Sequence, residues 1–153
     1  MEFGSIERRL HIEAPPEVVF EVVSRPEHLR EWWPDDARFE PVAGSAGEIV
    51  FGDCDAGGVT VGFTVVDVVP PHSFSFRWTQ RPGEVADERN SLLVTFQLSA
   101  ADGGTLLTMT ETGFRERGWE VAVLEQQYRE HVAGWDQFLP RLAPYVATLA
   151  ARR

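Results

Sequence analysis

The sequence predicts an α+β fold in which an antiparallel sheet packs against a long C-terminal helix. Between residues 36 and 114, apolar and polar residues alternate and turn residues recur at hairpin intervals, which is the pattern of antiparallel strands. From residue 119 to residue 151, apolar residues recur at steps of three and four, which predicts an amphipathic helix. Because the strands are bounded by helices rather than alternating with them, α+β is favoured over α/β.

The N-terminal part predicts one strand followed by two short helices. Residues 5–13 are rich in β-forming side chains. Residues 14–17, with two prolines and an acidic residue, predict a helix start, because proline is tolerated in the first turn and a negative charge suits the helix dipole. Ser24 is the expected cap of a second helix, which ends at the Trp-Trp-Pro run of residues 32–34.

The middle part predicts six strands with an inner and an outer face. They are residues 37–42, 47–52, 59–69, 73–80, 90–99 and 105–114. Alternation places Phe74, Phe76 and Trp78 on the face that meets the helices. In the last strand, the inner series of Leu107 and Met109 continues to Glu111, which predicts a carboxyl group on an apolar face.

The predicted helix of residues 119–151 is expected to contribute most to the core. Its apolar residues share one helical face: Leu124, Tyr128, Val132, Trp135, Phe138, Leu139, Leu142, Tyr145, Val146 and Leu149. Burying them corresponds to a gross gain of roughly 15–30 kcal/mol. Pro140 and Pro144 each remove a backbone donor, so we expect a bend or a short break near Leu139.

Length and charge restrict the class of protein. The 153 residues favour one domain over residues 1–153, large enough to enclose a pocket. The formal net charge of −10 disfavours nucleic acid and anionic membranes as partners. All basic residues are arginines, which excludes a Schiff-base lysine and a Walker-A lysine. With no signal-like start and no long apolar run, we expect a cytoplasmic protein.

The cysteine and histidine patterns predict neither a metal nor a cofactor. The single cysteine, Cys54, cannot form an internal disulfide, which agrees with a reducing compartment. Asp53 and Asp55 beside it disfavour a thiolate, and we interpret this segment as a solvated hairpin tip. The four histidines show no H-x-H or H-E-x-x-H spacing.

Several motifs, in order along almost the whole chain, carry a resemblance to a known family. They are Ile12-x-Ala14-x-x-Glu17-x-Val19-Phe20, Pro26-Glu27-His28-Leu29-x-x-Trp32-Trp33, Val68-x-Pro70-Pro71 with Phe74-x-Phe76-x-Trp78, Gly104-Thr105-x-Leu107-x-Met109-Thr110-x-Thr112-Gly113-Phe114, and Gly134-Trp135-x-x-Phe138-Leu139-x-x-Leu142. The chain resembles proteins similar to the C-terminal domain of the Hsp90 ATPase activator, within the START-like helix-grip superfamily. The resemblance implies a curved antiparallel sheet that grips the C-terminal helix and leaves an elongated cavity, used by different members for lipids, hormones or polyketides.

Three hypotheses about function follow, the first of them favoured. The first is a non-enzymatic protein, monomeric or homodimeric, that binds a small apolar or amphipathic molecule between the sheet and the C-terminal helix. Glu111, with His131 or Tyr128, would fix the polar end of that molecule. The second is a cyclase or dehydratase type of enzyme that acts on an aromatic or polyketide-like substrate, with Glu111 as acid or base. The third is a protein-interaction module related to co-chaperones.

The residues expected to line the cavity lie on the inner sheet face, on the stripe of the last helix or at the Trp-Trp pair. They are Trp32, Trp33, Phe51, Phe63, Phe76, Trp78, Phe96, Met109, Glu111, Tyr128, His131 and Trp135. For any single aromatic residue, packing in the core is the favoured interpretation, although the set as a whole is typical of a small-molecule pocket. The alternative for Glu111 is that the strand end turns it into solvent or that an arginine pairs with it. Asp67 has the same two interpretations, and a bulge before Pro70 would reset its register.

Overall fold

The computed structural model describes residues 4–52, 58–79 and 84–151 as strands and helices in the predicted order. The strands are β1 (Ser5–Ile12), β2 (Asp36–Arg38), β3 (Ala46–Phe51), β4 (Val59–Val69), β5 (Ser73–Thr79), β6 (Leu92–Ala101) and β7 (Gly104–Thr112). The helices are α1 (Pro16–Ser24), α2 (Pro26–Trp32), α3 (Val121–Phe138) and α4 (Leu142–Ala151), with 3-10 turns at Arg115–Arg117 and Leu139–Arg141. The segment with Asp53, Cys54 and Asp55 lies outside the described residues.

The seven strands form one antiparallel sheet in the order β1-β7-β6-β5-β4-β3-β2. The first and last strands of the chain are therefore neighbours, and the helices that follow them pack over the inner face of the curved sheet. The hydrophobic core lies between these layers and includes side chains from both. The predicted α+β helix-grip fold is thus confirmed.

Alternation along the strands places the inner residues as predicted. Phe74 and Phe76 are fully buried, and Glu111 is on the inner face with an exposed fraction of 0%. In β4 the register with β5 shifts between Val65 and Asp67. This bulge turns Asp67 outward, where its side chain is exposed. Asp67 is therefore a solvent-exposed carboxyl group and not a buried one on the inner face of the sheet.

Two local expectations differ from the structure. Ser24 ends α1 instead of capping α2, because its hydroxyl donates to the carbonyl of Phe20 at 2.6 Å. The predicted strand of residues 37–42 is confined to Asp36–Arg38, since only this part pairs with β3.

The C-terminal helical segment has the predicted break. A 3-10 turn at Leu139–Arg141, which contains Pro140, separates α3 from α4. Both helices continue the same buried side, to which Trp135, Leu142 and Val146 contribute. The prolines interrupt the hydrogen bonding of the segment without moving its apolar stripe away from the core.

Candidate functional site

Glu111 is the buried charged residue around which the site is built. It lies in β7, paired with Ile6 of β1 on one side and Val94 of β6 on the other. A carboxylate removed from water costs several kcal/mol unless hydrogen bonds replace its hydration. The cost of burying the Glu111 carboxylate is therefore offset only by the hydrogen-bond donors around it.

Three side chains donate to the carboxylate of Glu111. Trp78 Nε1 donates to Oε2 at 2.7 Å, and Trp135 Nε1 donates to Oε1 at 2.8 Å. His131 Nδ1 lies 2.9 and 3.0 Å from the two oxygens. An ionised carboxylate only accepts, so this arrangement places the imidazole proton on Nδ1. Glu111 is therefore closed off from solvent, and among the described residues it pairs with no arginine, in contrast to the alternatives that its sequence position left open.

The secondary structure explains why these donors meet. Trp78 is an inward-facing residue of β5, on the same side of the sheet as Glu111. His131 and Trp135 are four residues apart on α3, so they lie on one helical face a single turn apart. The sheet thus supplies the acceptor and one donor, and α3 supplies the other two.

A cavity of about 280 Å³ lies next to this cluster, between the sheet and α3. Its lining residues are Trp33, Phe51, Val59, Val61, Trp78, Glu130, His131, Gly134, Trp135 and Phe138. The ring centroid of Trp33 lies 5.0 Å from that of Trp135 and 5.2 Å from that of Trp78. Glu111 lies one layer behind the wall formed by its three donors. The cavity is consequently apolar and aromatic, with an imidazole in its wall.

A second cavity, of about 190 Å³, shares Trp78 and His131 with the first. Its other lining residues are Thr79, Asn90, Leu92, Arg117, Trp119 and Gln127. Most of these side chains carry hydrogen-bonding groups, unlike those of the first cavity. We call the two the aromatic cavity and the polar cavity.

The structure separates the predicted cavity residues into three groups. Trp33, Phe51, Trp78, His131 and Trp135 line the aromatic cavity. The residues that lie in the packed core instead are Trp32, Phe63, Phe76, Phe96 and Met109.

The remaining two predicted residues, Glu111 and Tyr128, line neither cavity. Glu111 is behind the wall of the aromatic cavity. The hydroxyl of Tyr128 donates to the carbonyl of Ser5 at 2.8 Å, and its ring packs on Phe114. Tyr128 therefore ties α3 to β1.

Some lining residues were not predicted, and one of them had a recognisable signal. Val59, Val61, Glu130, Gly134 and Phe138 complete the aromatic cavity. Gly134 is in the interior of α3, where glycine costs about 1 kcal/mol relative to alanine. A helical glycine next to a buried tryptophan indicates that space beside the helix is retained.

No group of His, Cys, Asp or Glu among residues 4–52, 58–79 and 84–151 is arranged to hold a metal ion. In the same part of the chain, no helix combines the length and apolar character that a membrane span requires.

Solved structures share this fold. Protein MLL2253 from Mesorhizobium loti is 23% identical, with coverage of 94% of this chain and 97% of that one and a TM-score of 0.74. The Aha1 dimer from Colwellia psychrerythraea is 21% identical, with coverage of 93% and 95% and a TM-score of 0.64. DynU16, from the dynemicin biosynthetic locus, is 24% identical with a TM-score of 0.69, and the match covers 95% of this chain and 48% of DynU16. These likenesses show the fold alone.

Comparison of the sequence itself gives the family. No curated protein matches the chain significantly. The family profile described as "Activator of Hsp90 ATPase homolog 1-like protein" matches residues 13–147. This match includes the residues of both cavities and all four members of the Glu111 cluster. The chain therefore belongs to the Activator of Hsp90 ATPase homolog 1-like protein family.

Proposed function

We propose that this protein binds a small apolar or amphipathic molecule with an aromatic ring system in the aromatic cavity. The observation that carries the proposal is the cavity itself, about 280 Å³ and lined largely by aromatic rings from the sheet, the end of α2 and α3. Ligand pockets typically measure ~300–1,000 Å³ and combine apolar walls with a few polar groups. A cavity just below the lower end of this range suits a ligand of about two to three rings.

The walls of the aromatic cavity are held in place before any ligand arrives. Trp78 and Trp135 are fixed by their hydrogen bonds to Glu111, and Trp33 stacks on Trp135. Rigid walls reduce the side-chain entropy lost on binding. His131 supplies the polar group: with Nδ1 on Glu111, the rest of its ring forms the cavity wall and can accept a donor of the ligand.

The proposal includes a cytoplasmic location and either a monomer or a homodimer as the acting form. The relative from Colwellia psychrerythraea was solved as a dimer. Size-exclusion chromatography with light scattering distinguishes the two forms.

The test uses a neutral fluorescent probe, N-phenyl-1-naphthylamine, whose emission rises in apolar sites. A Cβ atom added to Gly134 meets no atom within 4 Å, so Gly134→Leu extends into the space of the aromatic cavity. Ala133→Leu is the matched control, because Ala133 is exposed on α3 and does not line this cavity. We expect Gly134→Leu to abolish binding and Ala133→Leu to retain it. Equal binding by both variants would refute the proposed site.

A second candidate function is favoured by the pair of Glu111 and His131. A carboxylate that holds Nδ1–H of an imidazole directs its other nitrogen outward and stabilises the imidazolium that forms when that nitrogen takes a proton. In this candidate His131 is the base at the cavity wall and Glu111 is a positioning residue. The chemistry would be proton transfer during cyclisation or dehydration of an aromatic or polyketide-like substrate. One protein of the same fold, DynU16, comes from the dynemicin biosynthetic locus.

The bicyclic ketone 2-tetralone tests for this base. In D₂O, a positioned base accelerates exchange of the hydrogens next to the carbonyl, which proton NMR follows directly. We expect faster exchange than with the same concentration of free imidazole, and loss of the acceleration in His131→Phe. Rates equal to those of free imidazole would exclude the enzymatic candidate for this class of substrate.

A further inference from the structure

We infer that the polar cavity is a subsite for an oxyanion group, so that the ligand is an aromatic acid such as an aromatic carboxylate. The inference rests on the proposed function, because the ring system of the same molecule would occupy the aromatic cavity. The two cavities share Trp78 and His131, whose rings are in edge-to-face contact with their centroids 5.1 Å apart. A ligand with its rings in the aromatic cavity would extend its acidic group past the edge of this shared wall to enter the polar cavity.

The lining of the polar cavity has the chemistry of an anion site. Arg117 provides a positive charge, and Asn90, Gln127 and Thr79 provide amide and hydroxyl groups. Among the described residues, no Asp or Glu lines this cavity. This lining contrasts with the formal net charge of −10 of the whole chain.

The guanidinium of Arg117 is oriented by its surroundings. Its Cζ lies 5.0 Å from the ring centroid of Trp119, and Nη1 donates to the carbonyl of Arg89 at 3.3 Å. A guanidinium has five N–H donors in a planar fork, so it can bind a carboxylate while keeping this contact. The acidic residues near Arg117, Glu88 and Glu116, line a different, outer cavity that Arg117 also borders.

The experiment compares two probes that differ in charge. N-phenyl-1-naphthylamine is neutral, and 8-anilinonaphthalene-1-sulfonate has the same rings with an added oxyanion. We expect Arg117→Gln to weaken binding of the sulfonate by about tenfold or more, since hydrogen bonds to charged groups are the stronger ones. Binding of the neutral probe should change by less than about twofold, which also shows that the variant is folded. The control is Arg115→Gln, an exposed arginine of the same 3-10 turn that does not line the polar cavity.

The outcomes separate this inference from the proposed function. If the neutral probe binds and the sulfonate shows no dependence on Arg117, the polar subsite is refuted and the aromatic cavity stands. If only the sulfonate binds, in an Arg117-dependent way, the anion subsite stands and the ligand of the proposed function is amphipathic rather than purely apolar. If neither probe binds, or if Arg117→Gln weakens both equally, the subsite is refuted.

Discussion

Glu111 is fully buried and accepts hydrogen bonds from three neighbouring side chains. Both facts determine what it contributes to the stability of the fold. A buried acceptor with matched donors is neutral to favourable for stability, whereas the same group with a partner missing is strongly unfavourable. The donors Trp78, His131 and Trp135 come from the sheet and from α3. Glu111 therefore acts as a junction between the two layers as well as a support for the cavity wall.

Replacing Glu111 with glutamine keeps the shape and removes the charge. One oxygen becomes an amide group that faces an N–H donor, so at least one indole or imidazole donor loses its acceptor. We expect Glu111→Gln to lower the free energy of unfolding by about 2–3 kcal/mol, measured by urea denaturation. Glu130→Gln is the control, because Glu130 is exposed at the cavity wall, and a change within about 0.5 kcal/mol is expected. Similar small losses in both variants would contradict the role of Glu111.

Sequence reasoning could place Glu111 but not its partners. The two-residue period of β7 puts Glu111 on the inner face, and that inference needs only local structure. The meeting of Glu111 with His131 and Trp135 depends on how α3 crosses the sheet, which local patterns do not specify. For the same reason, periodicity could not separate the aromatic residues of the core, such as Phe76, from those of the cavity wall, such as Phe51.

At the scale of elements, α3 is joined to β1 by a surface ion pair. Arg8 Nε lies 2.8 Å from Asp136 Oδ1, and the exposed fractions of the two side chains are 36% and 55%. The hydrogen bond from Arg8 holds the pKa of Asp136 below its ordinary value, against the opposing effect of burial. An exposed pair of this kind stabilises a protein by no more than about 1 kcal/mol.

The lowered pKa of Asp136 fixes the direction of its pH dependence. Because the folded-state pKa lies below the unfolded one, the stabilisation is present above about pH 4 and is lost as the pH falls through the folded-state value. We expect Asp136→Asn to destabilise the protein at about pH 7 by less than about 1 kcal/mol, and by a smaller amount at about pH 3. Urea midpoints at both pH values measure this. If the difference in urea midpoint between Asp136→Asn and the unsubstituted protein is the same at both pH values, packing and not charge explains the effect.

Strand β4 and the segment after residue 83 pack closely at Gly62. A Cβ atom there would overlap with the carbonyl oxygen of Glu84 and would lie 3.1 Å from Cγ2 of Thr79. We expect Gly62→Ala to lower stability by about 1–3 kcal/mol, because backbone must move to make room. Gly134→Ala is the contrasting case, with open space around the added atom and an expected gain of about 0.5–1 kcal/mol. Equal effects at the two sites in thermal unfolding would contradict the packing described for Gly62.

The elements themselves were largely predictable because each has a local cause. The long strand β4 has the predicted bounds of residues 59–69, since β-forming residues continue through the bulge to the turn at Pro70. The break near Leu139 follows from Pro140, which cannot donate a backbone hydrogen bond. The role of Ser24 was not predictable, because a serine hydroxyl bonds equally well to a carbonyl of the preceding turn or to an N–H of the next helix.

At the scale of the whole molecule, the aromatic cavity is a volume that the packing of the two layers leaves unfilled. The cavity exists because the side chains between the sheet and α3 together do not fill the space there, so no single motif predicts it. Gly134 on α3 leaves room, and the aromatic rings opposite it form the walls. A ligand in this space would complete the core, and its binding would then be linked to folding.

This linkage gives the most direct prediction for the intact protein. A ligand that binds only the folded state raises the free energy of unfolding by about 1.4 kcal/mol at a free concentration ten times its Kd. We expect N-phenyl-1-naphthylamine to stabilise the unsubstituted protein by this amount in urea denaturation followed by circular dichroism. Gly134→Leu should be at least as stable without the probe, because leucine favours the helix more than glycine does, yet it should gain nothing from the probe. A variant that still gains the full stabilisation would place the binding site outside the space between the sheet and α3.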